Sequence, residues 1–458
     1  MQTMLFRKGH IFSLLTVMIV TVSFLYSCSE VDLDFNHYPE PGRTDDEVVR
    51  TPVQEYRNVF ILYSIGYNDL RGYLADDIKD VLGSKLMKNR RDVVLMFSHI
   101  AKSKKDWPYF DYDTPVSPTL TKISRNEDGS IQKDTILVMD ESAVAANPGT
   151  LREVLTYTKE NFDADTYGIL LSSHASGWLP SGYLSHPDDF DPQDDDELIP
   201  IALQPRKRIS SFSLCCDEEI PVKTLGVHYH TMKHTSEMEI ADLAAAFPFK
   251  MDYVIFDACY MGGIEVAYEL RNVTDKVMFS QTEILADGMD YKSVTSYVFA
   301  EGGPDLEGFC QRYYDHYNSQ SGQFRSATIS LIDCTRLEPL AQVTMDMLEK
   351  YRNGLNTLQQ TRNVQKYYRS AKSYTEQWFY DFGDIIEKCG LSDEDKALFN
   401  EKLDDAVLYK AATPWFMSSF KVEHHSGLSM YLPFTEKRNY LHNHYKKLSW
   451  NTATGLIP

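Results

Sequence analysis

The sequence predicts an α/β protein: a sheet dominated by parallel strands and sandwiched by helices, with a further packed portion at the C-terminal end. Three observations carry that prediction. Short, nearly continuous apolar runs recur along the chain, and stretches with apolar residues at helical spacing lie between them. Strands that are apolar throughout, rather than alternating, belong in sheets covered on both faces, and the intervening helices supply the cover. At 458 residues, with 43% apolar and 24% charged residues, the chain has the size and balance to bury such a sheet.

The elements follow in order. Residues 58–65 (NVFILYSI) form an apolar run that stops before Gly66, a buried strand. A helix is expected over 70–86, then strands over 92–97 (DVVLMF) and 135–139 (TILVM). Residues 150–162 have helical spacing, with Thr150 as the expected N-terminal cap. Two more buried strands are expected at 167–172 (YGILLS) and 253–256 (YVIF). A helix over 263–270 and strands over 277–280 and 327–332 complete the core pattern. Beyond residue 300 the chain is rich in Tyr and helical spacing and ends in short strand-like pieces such as 428–432. The organisation expected is an export signal at 1–27, a tether at 28–54, a core at 55–300 and a packed C-terminal α/β portion at 301–458.

The N-terminus carries an address. Arg7 and Lys8 precede the apolar run 11–24, which is shorter than the roughly 20 residues needed to span a bilayer. Leu25-Tyr26-Ser27-Cys28 then resembles a bacterial lipobox, so Cys28 is expected to be acylated and to anchor the chain in the cell envelope, at the outer membrane. The following stretch, broken by Pro39, Pro41 and Gly42, suits a tether. The chain holds 46 Lys and Arg against 66 Asp and Glu, a formal charge of −20. Without residues 1–27, which hold two bases and no acid, it is −22. Such a surface repels phosphate backbones, which argues against nucleic acid as a partner.

Chemistry gathers at two strand ends. His174 stands just beyond the strand at 167–172, in SSHASGW, and Cys259 just beyond the strand at 253–256, in FDACYMGG. In parallel sheets the working groups collect at the carboxyl ends of the strands. If the two strands are neighbours, an imidazole can take the proton of a thiol that attacks as thiolate, and a following helix N-terminus favours the thiolate. The backbone N–H groups of Ala175 and Cys259 are then candidates for an oxyanion hole.

These residues also carry a resemblance. Apolar strand, histidine, second apolar strand and Asp-Ala-Cys follow the pattern of caspase-like cysteine peptidases, and the chain is similar to the clostripain family. The likeness lies in HASGW (174–178), FDACYMGGIEVAYEL (256–270), SQTEILADGMDY (280–291), WFYDFGDII (378–386) and SGLSMYLP (426–433), and spans roughly 55–450. One departure is Ala175, where the family usually has glycine. The resemblance implies a caspase-like fold, a Cys–His dyad of Cys259 and His174, and protein or peptide substrates. It also implies cleavage after Arg or Lys, with Asp257 and Asp287 as a desolvated acidic pair in the first specificity pocket. Self-cleavage between the two motifs is a further implication, and Arg206, Lys207, Arg208, Lys223 and Lys233 lie in that interval.

The leading expectation is thus a lipid-anchored, extracytoplasmic cysteine endopeptidase. The alternative is a surface lipoprotein that keeps the fold for binding without catalysis. The mechanism requires no cofactor. The acidic run 188–197 offers the hard oxygen donors that calcium prefers, and calcium stays open as a ligand. His228, His230 and His234, with Cys215 and Cys216, match no zinc spacing, so no metal site is assigned. His424, His425, His442 and His444 are expected at the surface. With Cys28 and Cys259 accounted for, Cys215, Cys216, Cys310, Cys334 and Cys389 are an odd remainder, expected to be mostly reduced and buried.

Overall fold

The structure is a computed structural model, which describes residues 56–84, 87–102, 114–183, 228–231, 234–369, 377–433 and 439–458. The expected signal, Cys28, the tether, the acidic run 188–197, Cys215, Cys216 and the five basic residues proposed for self-cleavage lie outside the described residues. From Val53 onward the chain is one compact unit.

Nine strands form its central sheet: β1 (Tyr56–Gly66), β2 (Asp92–Ile100), β3 (Thr119–Arg125), β4 (Ile131–Val138), β5 (Ala164–Ser172), β8 (Met251–Asp257), β9 (Thr274–Phe279), β10 (Thr328–Asp333) and β12 (Val407–Ala412). Among the described residues three two-stranded ribbons account for the remaining strands: β6 (His228–Thr231) with β7 (His234–Ser236), β11 (Tyr380–Asp381) with β15 (Ser429–Met430), and β13 (Trp415–Phe416) with β14 (Phe420–Lys421). The sheet order is β12-β10-β9-β8-β5-β1-β2-β3-β4. The five central strands run parallel. Antiparallel pairs extend the sheet at both edges.

Burial explains the apolar runs. Val59–Tyr63 and Val93–Leu95 are fully buried, as strands covered on both faces must be. The helices α1 (Arg71–Gly83), α2 (Pro148–Asn161), α3 (Ile240–Ala245) and α4 (Ile264–Leu270) lie between the parallel strands in the chain. The cap of α2 differs from expectation: the Asn147 side chain accepts the Gly149 N–H, while Thr150 is buried one turn inside. β3 was not expected, because its polar alternation (TLTKISR) belongs to a partly exposed hairpin with β4.

One glycine sets the register that matters most. Gly168 on β5 lies opposite Tyr253 on β8. A Cβ at Gly168 would stand 1.8 Å from the Tyr253 ring, so only glycine lets the ring cross that strand. The portion after residue 300 supplies β10 and β12 to the same sheet. Cys310, Cys334 and Cys389 are free and buried. Burial pushes the Cys334 and Cys389 thiols up, Cys389 to about 12.

Three expected surface histidines are otherwise placed: His442 is half-buried, its ring 6.1 Å from the Tyr431 ring between centroids. His425 is half-buried and its Nδ1 lies 3.0 Å from the Tyr367 hydroxyl. His444 is half-buried too, with Nε2 3.0 Å from the Trp178 carbonyl oxygen. All three are held by packing of the C-terminal portion, which the local sequence does not reveal.

Candidate active site

The carboxyl ends of β9, β8, β5 and β1 lie side by side, and each leads into a loop of the site. Ser172 on β5 pairs with Asp257 on β8. His174 and Cys259 each stand two residues further on, just past the ends of these neighbouring parallel strands. Sequence spacing singled out the two residues, and the sheet sets the strand ends that precede them side by side.

Cys259 is fully buried. The Ile284 N–H donates to its Sγ at 3.2 Å, and Sγ lies 3.8 Å from the Ile284 carbonyl oxygen. The loop after β9 therefore holds the thiol. That loop is itself anchored: the Gln281 amide donates to Ser330 Oγ (2.7 Å) and to the Gly427 carbonyl (2.9 Å). Glu283, beside Ile284, takes the Arg369 guanidinium on both carboxylate oxygens at 2.8–3.0 Å. The shared motif at 280–291 thus works largely through backbone and buried polar contacts.

The residue after the cysteine bears the sharpest turn. Tyr260 has φ of +58°, a conformation that a bulky non-glycine residue adopts only under external constraint. Its N–H donates to the Thr282 carbonyl at 3.0 Å, and its ring stacks on Phe379 with centroids 4.7 Å apart. Gly177, in the histidine loop, has φ of +61° and lies directly against the Tyr260 carbonyl. By contrast Ala175 has an ordinary negative φ and is buried, so the backbone there makes no demand for glycine.

His174 is 4% exposed, and its Nε2 lies 2.5 Å from Asp69 Oδ1. Asp69 stands in the turn between β1 and α1, with 57% of its side chain open to solvent. Asp257 is fully buried, accepting from the Tyr291 hydroxyl at 2.5 Å and from Ser172 Oγ at 3.1 Å. Asp287 is exposed on the rim, so the expected desolvated pair has only one desolvated member. Burial first, and then the charges of Asp257 and Asp77, push the Tyr291 hydroxyl well above its usual range, which keeps it a proton donor. Asp77, on α1, is itself buried. Among the described residues no three His, Cys, Asp or Glu side chains gather as a metal would need.

Sequence reasoning passed over Asp69, Tyr291, Asp77 and the Glu283–Arg369 pair. The strand-end argument that selected His174 and Cys259 would have found Asp69 had it been applied to the first strand. The others depend on contacts between distant segments, and no local spacing signals them.

Comparison with known proteins bears on this arrangement. The Clostripain family model matches residues 62–196 and 215–455. Clostripain of Hathewaya histolytica is 21% identical, over 95% of this chain and 86% of the relative. An inactive zymogen C11 protease from Parabacteroides distasonis has a similar structure, with TM-score 0.65 and 24% identity, over 89% of this chain and 99% of that one. A secreted C11 cysteine protease from Bacteroides thetaiotaomicron, solved with an irreversible peptide inhibitor, gives TM-score 0.66 and 20% identity, over 88% of this chain and all of the other. Those two likenesses show the caspase-like fold, and the family match covers most of the chain: the chain belongs to the clostripain family of cysteine peptidases.

Proposed function

We propose that the protein is an endopeptidase in which Cys259 is the nucleophile and His174 the general base, cleaving after Arg or Lys. The observation that carries this reading is the pairing of Ser172 with Asp257, which sets His174 and Cys259 on adjacent strand ends. The Cys259 thiol would pass its proton to His174 and attack the scissile carbonyl. The imidazolium would return that proton to the leaving amine, and water would then hydrolyse the thioester. The N–H groups of Ala175 and Cys259 would hold the oxyanion.

Basic specificity rests on the negative groups near the nucleophile. Asp257 and Asp77 are buried and both bear on the Tyr317 hydroxyl, and Asp287 stands at the rim. An incoming guanidinium or ammonium would take over acceptor positions at Asp257 now filled by Tyr291 and Ser172. An acidic side chain would meet only repulsion.

The lipobox-like LYSC at 25–28 supports anchoring through Cys28 in the envelope, with residues 29–54 as tether and the peptidase outside the cytoplasm. The Bacteroides relative being a secreted protein agrees with that location.

Residues 29–458 should be offered fluorogenic peptides that differ only in the residue before the scissile bond. Cleavage after Arg and Lys is expected, lost at least 1,000-fold in Cys259→Ala. Substitution Asp257→Asn should raise KM for basic peptides at least 10-fold. Cleavage that persists in Cys259→Ala would exclude the assigned nucleophile, and a preference for another residue would exclude the pocket.

A further inference from the structure

We propose that Asp69 is a positioning residue for the reaction, holding His174 by Nε2 so that Nδ1 faces the Cys259 thiol. The proposal rests on the reading of His174 as base and Cys259 as nucleophile, and adds a third strand end to the site.

The topology brings the three together in order. β1, β5 and β8 are consecutive parallel neighbours, with Ser64 opposite Ser172 and Ser172 opposite Asp257. Asp69, His174 and Cys259 follow these three strands in turn. The Asp69 loop is built to stay in place. Asn68 donates its amide to the Ile65 carbonyl (3.0 Å), and its Oδ1 accepts the Leu70 N–H (3.0 Å). Ser173 Oγ, next to His174, donates to the same Ile65 carbonyl at 3.3 Å. One carbonyl therefore ties the aspartate loop to the histidine loop.

The chemistry follows from which nitrogen is engaged. With Nε2 donating to Asp69 Oδ1, the neutral ring presents Nδ1 as its basic site. When Nδ1 takes the thiol proton, the imidazolium gains a carboxylate partner at Nε2, and no proton moves to Asp69. His174 is almost completely withdrawn from water, so a bare imidazolium there would be costly. Burial raises the Asp69 carboxyl from its ordinary value, with the N–H groups of Asp69 and Leu70 acting the other way, while part of the side chain stays open to solvent. The other titratable groups around the pair are Tyr73 and Asp287 at the rim, and Asp257 and Cys259 on the adjoining strand end.

The test uses the full chain and two readouts. In the first, kcat and KM for a basic peptide are measured against pH for wild type, Asp69→Asn and Asp69→Ser. In the second, the imidazole resonance of His174, assigned with His174→Gln, is titrated by NMR in the same proteins. A carboxylate against Nε2 favours the charged ring, so its removal lowers the midpoint. The expected result is a kcat reduced about 10-fold in Asp69→Asn with KM within two-fold. Asp69→Ser should lose more, and the His174 midpoint should fall by about one pH unit in both. A His174 midpoint that does not move would overturn the proposal, as would a raised KM at unchanged kcat, which would make Asp69 a pocket acid. The NMR titration needs no turnover, so a wild-type chain without peptidase activity would refute the function while leaving the Asp69–His174 coupling separately decided.

Discussion

Tyr260 and Gly177 show at single-residue scale how the site is shaped. Both have positive φ, and they meet where the cysteine loop passes the histidine loop. Replacing Gly177 by Ala forces an L side chain into the left-handed region and sets its Cβ 2.6 Å from the Tyr260 carbonyl oxygen. We expect Gly177→Ala to lose about 1–3 kcal/mol of stability, as backbone strain of this kind costs. Peptidase activity should fall further than stability alone requires, because the strain sits between the loops that carry His174 and Cys259. Gly72→Ala is the control, since nothing lies within 4 Å of its would-be Cβ and its φ is ordinary. That change should be neutral or stabilise by up to about 1 kcal/mol. Urea midpoints of the two variants check both expectations.

Helix α4 carries its own titration. Glu265, in the first turn after the cysteine loop, is fully buried and accepts from the Tyr431 N–H (2.8 Å) and the Tyr445 hydroxyl (2.7 Å). Burial raises its carboxyl to about 7, against those two hydrogen bonds. The folded chain therefore holds a proton that the unfolded chain has already lost above its ordinary 4.5. The stabilisation is complete below pH 4.5 and is lost as pH rises through 7, by on the order of 3 kcal/mol in total. Glu265→Gln removes the ionisation and keeps the acceptor for Tyr431 and Tyr445. Thermal unfolding between pH 5 and 8 should flatten in this variant, and an unchanged pH slope would contradict the assignment.

The whole molecule depends on residues far from either motif. β10 and β12 complete the sheet beside β9, and Ile329, Leu331 and Ile332 bury that edge. Ser330 and the Gly427 carbonyl anchor the loop that holds Cys259. A fragment ending at residue 300 would expose β9 as an apolar edge and release that loop. It is expected to aggregate, as unprotected edges do, and to show no cooperative melt. A soluble fragment with a sharp transition would mean that residues 53–300 fold alone. Co-expression of the remaining residues should restore solubility if the sheet is what is missing.

The legibility of the chain followed the range of the interactions. Continuous apolar runs located the five central strands, because a strand buried on both faces has no room for alternation. The same logic placed His174 and Cys259 at strand ends, and the motifs around them carried the family resemblance. The hairpin β3–β4 was half missed because exposed edge strands need no apolar signature. Asn147 was missed as a cap because Thr150 offered the same chemistry three residues later. Strand order, and with it the adjacency of the strand ends that precede Asp69, His174 and Cys259, came only from the tertiary structure. So did the burial of Asp257 against the exposure of Asp287, and the hold of Arg369 on Glu283. The sequence by itself determined the fold class and the family, and singled out the two residues proposed for the chemistry, because local apolar pattern and short motifs encode them. The surroundings of those residues are set by contacts between segments up to 266 positions apart, and only packing decides which of those contacts form.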